Sequence, residues 1–332
     1  MNARQTSLNA LALLAAMMGC GGSVGDAGAP PGASQPPPNV PPPSATTSPR
    51  PAWEHLDLEG EVQALTTSPG SVCWSSYESK APTSVVACAG KVDGRRTELV
   101  RDALVHPAIA ASAEHVYWST EMTATIERAP LAGGDVTPVV TKSGPHGRFV
   151  LLKDSVYWLV DGGAGSVLFS ASANGSLSPA KVANLGAGDA DLLSIVDSTV
   201  YALPLVFSFG AGVQRTHAQE GAPKETLAGG CFYPTDLEAD AEHVYWSCQD
   251  RTLHWMADGA EHVEHDVGYG KIAIHRGLAY VTDTGSGVVR RVRASEGAVD
   301  VLQTGIDRAY HIVVDDSGIY VSSGKSIRRF PL

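Results

Sequence analysis

What the sequence has little of narrows it first. Lysine and arginine total 24 against 35 aspartates and glutamates, a net charge of −11, and no basic face shows along the chain. Phosphate backbones are bound by clustered cations, so the balance argues against a nucleic-acid partner and the acidity serves solubility. No apolar run approaches the roughly 20 residues that a membrane-crossing helix needs. There is no Cys-x-x-Cys pair, so the usual spacing of a structural zinc site is missing. After Trp53 no stretch sustains the 3.6-residue period of an amphipathic helix, and no second break in composition divides the chain. These absences leave one large domain of short apolar segments.

The chain opens with a single positive charge, Arg4, ahead of an apolar run from Leu8 to Met18. That run is about half of a bilayer span and reads as the core of an export signal. It ends in Ala16-Met17-Met18-Gly19-Cys20, which resembles the lipobox of bacterial lipoproteins, with Met17 where the family usually has leucine. The resemblance implies that residues 1–19 are removed and that diacylglycerol is attached to the Cys20 thiol. Each buried CH2 of such a chain adds about 0.8 kcal/mol of membrane affinity. Gly21 stands where an aspartate would resemble an inner-membrane retention signal, which favours the outer membrane of the cell envelope.

Residues 20–52 are mostly Gly, Ala, Ser and Pro, with Pro36–Pro38 and Pro41–Pro43 as uninterrupted prolines. Such a segment buries too little apolar surface to offset its ordering entropy, so it is expected to stay extended as a disordered tether. At about 3 Å per residue it reaches on the order of 90 Å. The domain proper is then 53–332.

Within it, Ala113-Glu114-His115-Val116-Tyr117-Trp118-Ser119 recurs letter for letter as Ala241-Glu242-His243-Val244-Tyr245-Trp246-Ser247. Looser copies of the apolar triplet stand at Val72-Cys73-Trp74, Val156-Tyr157-Trp158, Val200-Tyr201-Ala202, Ala279-Tyr280-Val281 and Ile319-Tyr320-Val321. A repeat of about 40 residues marks an array of like units, and there are seven. Each unit reads as four short strands; in the second they are Pro107–Ala111, Glu114–Ser119, Thr125–Pro130 and Val136–Thr141. The third turn carries glycine, as in Gly133-Gly134-Asp135, Asn174-Gly175, Asp258-Gly259 and Glu296-Gly297, because a tight hairpin needs positive φ. Four antiparallel strands per repeat define an all-β propeller of about seven blades, with six or eight the alternatives. The last unit stops one strand short at Leu332, so Trp53–Leu58 is expected to supply the missing strand and close the ring. The repeated aromatics are expected to pack blade against blade.

The sequence Val116-Tyr117-Trp118-Ser119 followed by Ile126-Glu127-Arg128-Ala129 resembles the YWTD repeat of receptor ectodomain propellers. Ala279-Tyr280-Val281-Thr282-Asp283-Thr284-Gly285 with Val289-Arg290-Arg291-Val292 is similar to the NHL group. With the lipobox and tether, the whole resembles the propeller lipoproteins abundant in myxobacteria and their relatives. The aspartate of YWTD is missing from most copies, and YWTD rings have six blades, so the resemblance implies the ring and transfers no ligand.

Apart from Cys20, the cysteines are Cys73, Cys88, Cys231 and Cys248, an even number in an exported chain, and disulfides are expected. Four cysteines allow three pairings; the repeat favours Cys73 with Cys88 and Cys231 with Cys248. Local motifs for chemistry are thin. In Glu261-His262-Val263-Glu264-His265-Asp266, strand alternation turns the two histidines to opposite faces, and a charged outer edge explains the cluster better than a metal does. His115 and His243, equivalent in two repeats, read as turn residues. Asp161-Gly162-Gly163-Ala164-Gly165-Ser166 reads as a hairpin and not a phosphate loop, since no helix or lysine follows. Carboxylates at Asp154, Asp161, Asp189, Asp197, Asp240, Asp283 and Asp315 fall in turns, where they bond local backbone.

No catalytic motif, no metal ligands and no cofactor are identified, and whether the chain is an enzyme stays open. The leading expectation is a membrane-tethered, non-enzymatic binding or scaffolding propeller with a protein or carbohydrate ligand at one mouth of the ring. A hydrolase or lyase acting on polysaccharide or peptidoglycan fragments, and a structural component of an envelope assembly, are the alternatives.

Overall fold

Each apolar triplet is the second strand of a four-stranded antiparallel sheet. The computed structural model describes residues 53–332 apart from 80–82, 103–104, 121–124, 142–147, 162–164, 176–177, 187–189, 205–211, 230, 232 and 258. A three-residue strand, β1 (His55–Asp57), comes first. Blade 1 is β2 (Glu61–Thr67), β3 (Ser71–Glu78), β4 (Thr83–Gly90) and β5 (Arg96–Asp102). Blade 2 is β6 (Val105–Ala111), β7 (His115–Thr120), β8 (Thr125–Pro130) and β9 (Thr137–Val140). Blade 3 is β10 (Phe149–Leu152), β11 (Ser155–Asp161), β12 (Ser166–Ser172) and β13 (Ala180–Gly186). Blade 4 is β14 (Ala190–Val196), β15 (Thr199–Pro204), β16 (Gln214–His217) and β17 (Glu225–Thr226). Blade 5 is β18 (Pro234–Ala239), β19 (Val244–Cys248), β20 (Leu253–Ala257) and β21 (Ala260–Glu264). Blade 6 is β22 (Ile272–His275), β23 (Leu278–Asp283), β24 (Val288–Arg293) and β25 (Ala298–Gln303), and blade 7 is β26 (Ala309–Asp315), β27 (Gly318–Ser323) and β28 (Ser326–Phe330).

The seventh sheet is completed by β1, which pairs antiparallel with β28, His55 opposite Arg328 and Asp57 opposite Ser326. First strands of successive blades touch, and β2 touches β26, so the seven sheets form a closed ring with β2, β6, β10, β14, β18, β22 and β26 innermost. The expected closure by the start of the domain is therefore present, and the blade count is seven.

The triplets bury their tryptophans completely and most of their tyrosines nearly so. Trp74, Trp118, Trp158 and Trp246 have no exposed surface, nor do Tyr245 and Tyr320. Opposite the third triplet residue, each inner strand places an apolar side chain, as in Leu65 with Trp74, Ile109 with Trp118, Phe149 with Trp158 and Leu237 with Trp246. Most core clusters draw on two neighbouring blades; one joins Tyr245 and Trp255 of blade 5 to Ile272, Val281 and Val292 of blade 6. At about 25 cal/mol per Å2 of apolar surface, this interleaving holds the ring together. The hydroxyl after the triplet has a structural task too: Ser247 Oγ donates to Gly270 O at 3.0 Å and Thr282 Oγ1 to Tyr310 O at 2.6 Å, each reaching the next blade.

Glycine appears where the third turn needs it, Gly175 at φ +76° and Gly297 at +61°. Among the described residues the only helical piece is a single 3-10 turn, Ala294–Glu296, and no helix is long and apolar enough to cross a membrane.

Two disulfides join Cys73 to Cys88 and Cys231 to Cys248. Cys73 and Cys88 face each other across β3 and β4, whereas Cys231 precedes β18 and reaches the end of β19. Such bridges fit maturation in oxidising surroundings. With separations of 15 and 17 residues, each constrains the unfolded chain by about 3 kcal/mol. Reduction is expected to shift the guanidinium midpoint downward by the equivalent of both bridges. An unchanged midpoint would show that the packed blades, and not the cross-links, limit unfolding.

Candidate functional site

The register of the seven sheets brings one position per blade to the same level of the central channel. The residue preceding the one opposite each triplet's third member is Ala64, Ala108, Arg148, Leu192, Asp236, Lys271 and His311 in blades 1 to 7. Three blades place a small or aliphatic side chain there, and four place a charged or titratable one. Two positions on, Glu238 stands where the other blades have Thr66, Ala110, Val150, Ser194, Ala273 and Val313. All of these line a cavity of about 520 Å3 that runs along the inner strands, from Ala64 to Thr67 in blade 1 and from Lys271 to Ile274 in blade 6.

Asp236 is the hub. Its side chain is 1% exposed. Arg148, from blade 3, passes over blade 4 to give Asp236 Oδ1 a 2.6 Å bond and to pair its other terminal nitrogen with Glu238 Oε1. Lys271 of blade 6 donates to Thr235 O at 2.8 Å and approaches Asp236 Oδ1 at 3.4 Å. The Ile272 N–H, at the start of β22, bonds Asp236 Oδ2 at 2.7 Å. Ser194 Oγ accepts the Ala239 N–H at 3.1 Å and stands 3.5 Å from Glu238 Oε2.

The proton affinities of the two carboxyls are pushed in opposite directions. Burial works against the Asp236 charge, but Lys271, Arg148 and the Ile272 N–H outweigh it, and the carboxyl lies below its ordinary range. Burial pushes the Glu238 carboxyl up and the Asp236 charge adds to this, only partly offset by Arg148. Of the two, Glu238 is the one that takes up a proton more readily. The His311 imidazole is driven down to about 3, by burial first and then by the Lys271 charge, so it is neutral across the physiological range. Its ring lies edge-on to Tyr310, centroids 4.7 Å apart.

The residues singled out by sequence lie elsewhere. His115 and His243 follow the inner-strand turns at the far end of the channel. Ser112 Oγ accepts the His115 N–H at 3.0 Å and Asp240 Oδ1 the His243 N–H at 2.7 Å, and each ring rests near a tyrosine two residues on, Tyr117 or Tyr245. Asp283 is fully buried, and clamps Arg251 of blade 5 and Arg290 of its own blade. Asp315 clamps Lys91 and Thr67 across the junction of blades 7 and 1. Asp197 turns the β14–β15 hairpin with φ +53°. Asp161 pairs with Ser166 at the ends of β11 and β12, residues 162–164 and Asp189 falling outside the described residues. The Glu261–Asp266 run forms the outermost strand of blade 5 and its exit: Glu261 bonds His254 at 2.9 Å, and His262 stacks on Trp255 at 5.3 Å. Among the described residues, one set of metal-type ligand atoms lies close together, Cys231, Cys248 and His254, but both thiols are spent in the disulfide.

None of the mouth residues was singled out from sequence. Each is solitary in its own repeat, and the signal that finds them is a comparison between repeats: the position is Ala or Leu in blades 1, 2 and 4 and polar in the rest.

Closed ring, seven four-stranded sheets and a central channel define a seven-bladed β-propeller. The chain is similar to the WD40 propeller domain of Doa1, with a TM-score of 0.63 at 13% identity over 84% of this chain and 95% of that one. It is similar to a chain of the nidogen/laminin complex, TM-score 0.51 at 16% identity over 78% and 97%. It is also similar to hydrazine synthase of Kuenenia stuttgartiensis, TM-score 0.63 at 10% identity over 86% and 98%. At these identities the likeness is one of fold alone. No protein-family model and no curated protein sequence matches the chain.

Proposed function

We propose that this chain is a membrane-tethered, non-enzymatic binding or scaffolding propeller of the cell envelope that takes a protein or carbohydrate ligand at the inner-strand mouth. The observation that carries this reading is the convergence of Arg148, Asp236, Glu238 and Lys271 from three blades at one end of a cavity of about 520 Å3. Burying charge costs solvation that aliphatic packing would not incur. Blades 1, 2 and 4 show that Ala or Leu fills this position, so packing alone does not call for the charges. The Cys20 lipobox and the proline tether support display from a membrane, with the outer membrane favoured by Gly21. A chain of similar fold belongs to the nidogen/laminin complex, which gives a precedent for a propeller with a protein partner.

One observation favours a second reading, a hydrolase or lyase acting on polysaccharide or peptidoglycan fragments. Two carboxyls whose proton affinities are pushed apart are the usual equipment of an acid and a base. Both are engaged by the one Arg148 guanidinium, which makes it a clamp more than a reaction centre, and binding ranks first.

Fractionating cells that carry Cys20→Ala tests the tether: the variant is expected to leave the membrane fraction as folded soluble protein, and its retention there would overturn the anchor. Incubating the mature chain with muropeptides and oligosaccharides tests the rest. Retention without turnover is expected; turnover abolished by Glu238→Gln would replace binding with hydrolysis.

A further inference from the structure

The hydrogen-bond inventory of the mouth is unbalanced toward donors. Arg148 has five N–H groups, of which one meets Asp236 and one Glu238. Lys271 has three and directs them at two acceptors, Thr235 O and the Asp236 carboxylate. Among the described residues the His311 ring makes no hydrogen bond; only its backbone N–H is engaged, by Ser322 Oγ at 2.9 Å. Acceptors are nearly exhausted. Asp236 Oδ1 takes Arg148 and Lys271, Oδ2 takes Ile272, and Glu238 Oε1 takes Arg148. Glu238 Oε2 has only Ser194 Oγ at 3.5 Å, a length at which little of a hydrogen bond remains.

Formal charge at the mouth cancels, two cations against two carboxylates, yet apart from Glu238 Oε2 the unspent groups are N–H donors from blades 3, 6 and 7. An incoming oxyanion matches such a set, since charge-assisted bonds from a guanidinium and an ammonium are the strong kind. The other side of the mouth supplies space and apolar wall: Ala108 and Ala110 of blade 2 and Val150 of blade 3 line it. The cavity, about 520 Å3, is the size of a small-molecule site.

Resting on the mouth being the ligand site, we propose that it binds a small ligand through a carboxylate or phosphate group held between Arg148, Lys271 and His311, with the ligand's apolar body against Ala108, Ala110 and Val150, and that Glu238 gains a proton as the oxyanion arrives. A third anion beside two carboxylates in a sheltered site raises their repulsion, and protonating one of them relieves it. Glu238 is the group to yield, because burial already pushes its carboxyl up while Lys271 and Arg148 keep Asp236 ionised. The groups facing Glu238 from the packed elements are Arg148, Lys271, His311, Asp236 and Ser194; the lining from β2 and β6 carries no charge. His311 is neutral well above its pKa of about 3, so with acetate, whose own ionisation is complete above mildly acid pH, the proton taken up in the mouth is Glu238's.

The mature chain, labelled with 15N, is titrated separately with sodium acetate, inorganic phosphate and N-acetylglucosamine while the His311 ring resonances are followed from about pH 5 to 8. An oxyanion is expected to shift His311, with affinity falling by up to about tenfold per pH unit once Glu238 is ionised in the free protein. Glu238→Gln, which keeps size and shape, is expected to bind the same probe with a flat pH profile, and Arg148→Gln to lose about tenfold or more. A wild-type profile that is already flat, or a Glu238→Gln protein that keeps the wild-type slope, would overturn the proton linkage. If only N-acetylglucosamine moves His311, the mouth remains a ligand site and the oxyanion inference fails. If no probe moves it, the oxyanion inference fails and the mouth is left to a protein ligand.

Discussion

Replacing Asp236 with alanine is expected to lower the free energy of unfolding by about 3–5 kcal/mol, the range for breaking a buried ion pair by removing one partner. The carboxylate is 1% exposed and compensates two cations, Arg148 at 2.6 Å and Lys271 at 3.4 Å, while accepting the Ile272 N–H at 2.7 Å. Its loss strands two positive charges and an inner-strand amide in one step. Because Asp236 of blade 5 ties partners in blades 3 and 6, the damage should appear in the global denaturant midpoint and not as local fraying. Introducing Arg148→Met into the Asp236→Ala background should recover part of the loss, since it removes one of the stranded charges. The sign with pH is fixed by the depressed carboxyl. Its contribution is whole above the unfolded value near 3.8 and is lost as pH falls through the folded value, so wild-type and variant stabilities should converge in strong acid. A loss under about 1 kcal/mol at neutral pH would mean that water already solvates Arg148 and Lys271, and that Asp236 is no hub.

The ring was legible in the sequence because every blade solves the same problem with the same residues. Val116-Tyr117-Trp118 and its copies recur because each second strand is enclosed on both faces, and every tryptophan of the triplets is without exposure. The closing strand was legible as a deficit, three strands in the last unit and a spare apolar segment at the start of the domain. Asp283 and Asp315, read from sequence as turn residues, do bond local backbone, at Gly285 N and Ser317 N, and hold a cation as well. Each ends a strand at a blade boundary, where a carboxylate can hold a cation from the neighbouring blade, Arg251 in one case and Lys91 in the other.

The mouth was hidden because its members share no local pattern. Arg148 and Asp236 are 88 residues apart, and Lys271 lies 35 beyond Asp236. Within its own segment, Thr235-Asp236-Leu237-Glu238-Ala239 reads as an ordinary alternating strand, polar out and apolar in. Only the ring turns that polar face toward the axis, where Arg148 arrives from two blades away. Searching a repeat protein for function therefore means looking for the inner-strand position at which the repeats disagree, since agreement marks the positions that packing dictates.

Truncating Trp53 to alanine is expected to cost about 3–5 kcal/mol, as for other large aromatics removed from a packed site, and to open the ring at one defined seam. Trp53 is 9% exposed, its Nε1 donates to Gly90 O at 3.0 Å in blade 1, and its ring lies 5.9 Å from Tyr320 in blade 7. The Arg329 guanidinium covers the indole at 5.8 Å. Gly94, at φ +67°, leaves room for it: a Cβ there would stand 2.6 Å from the indole. The side chain thus pins the last blade to the first just before β1 makes its three-residue pairing with β28, which the Arg329 N–H to Glu54 O bond extends at 2.9 Å. Three residue pairs are a short closure, and in Trp53→Ala the amides of Ser326–Phe330 should exchange with solvent well before those of β19, at the centre of blade 5. Uniform acceleration across all blades would mean instead that the ring opens only by unfolding as a whole. Under the proposed tether, tension carried along the chain would reach β1 before any other strand. Trp53 is the first packed side chain among the described residues, and its removal should lower the force at which a protein pulled by its N-terminus begins to unfold.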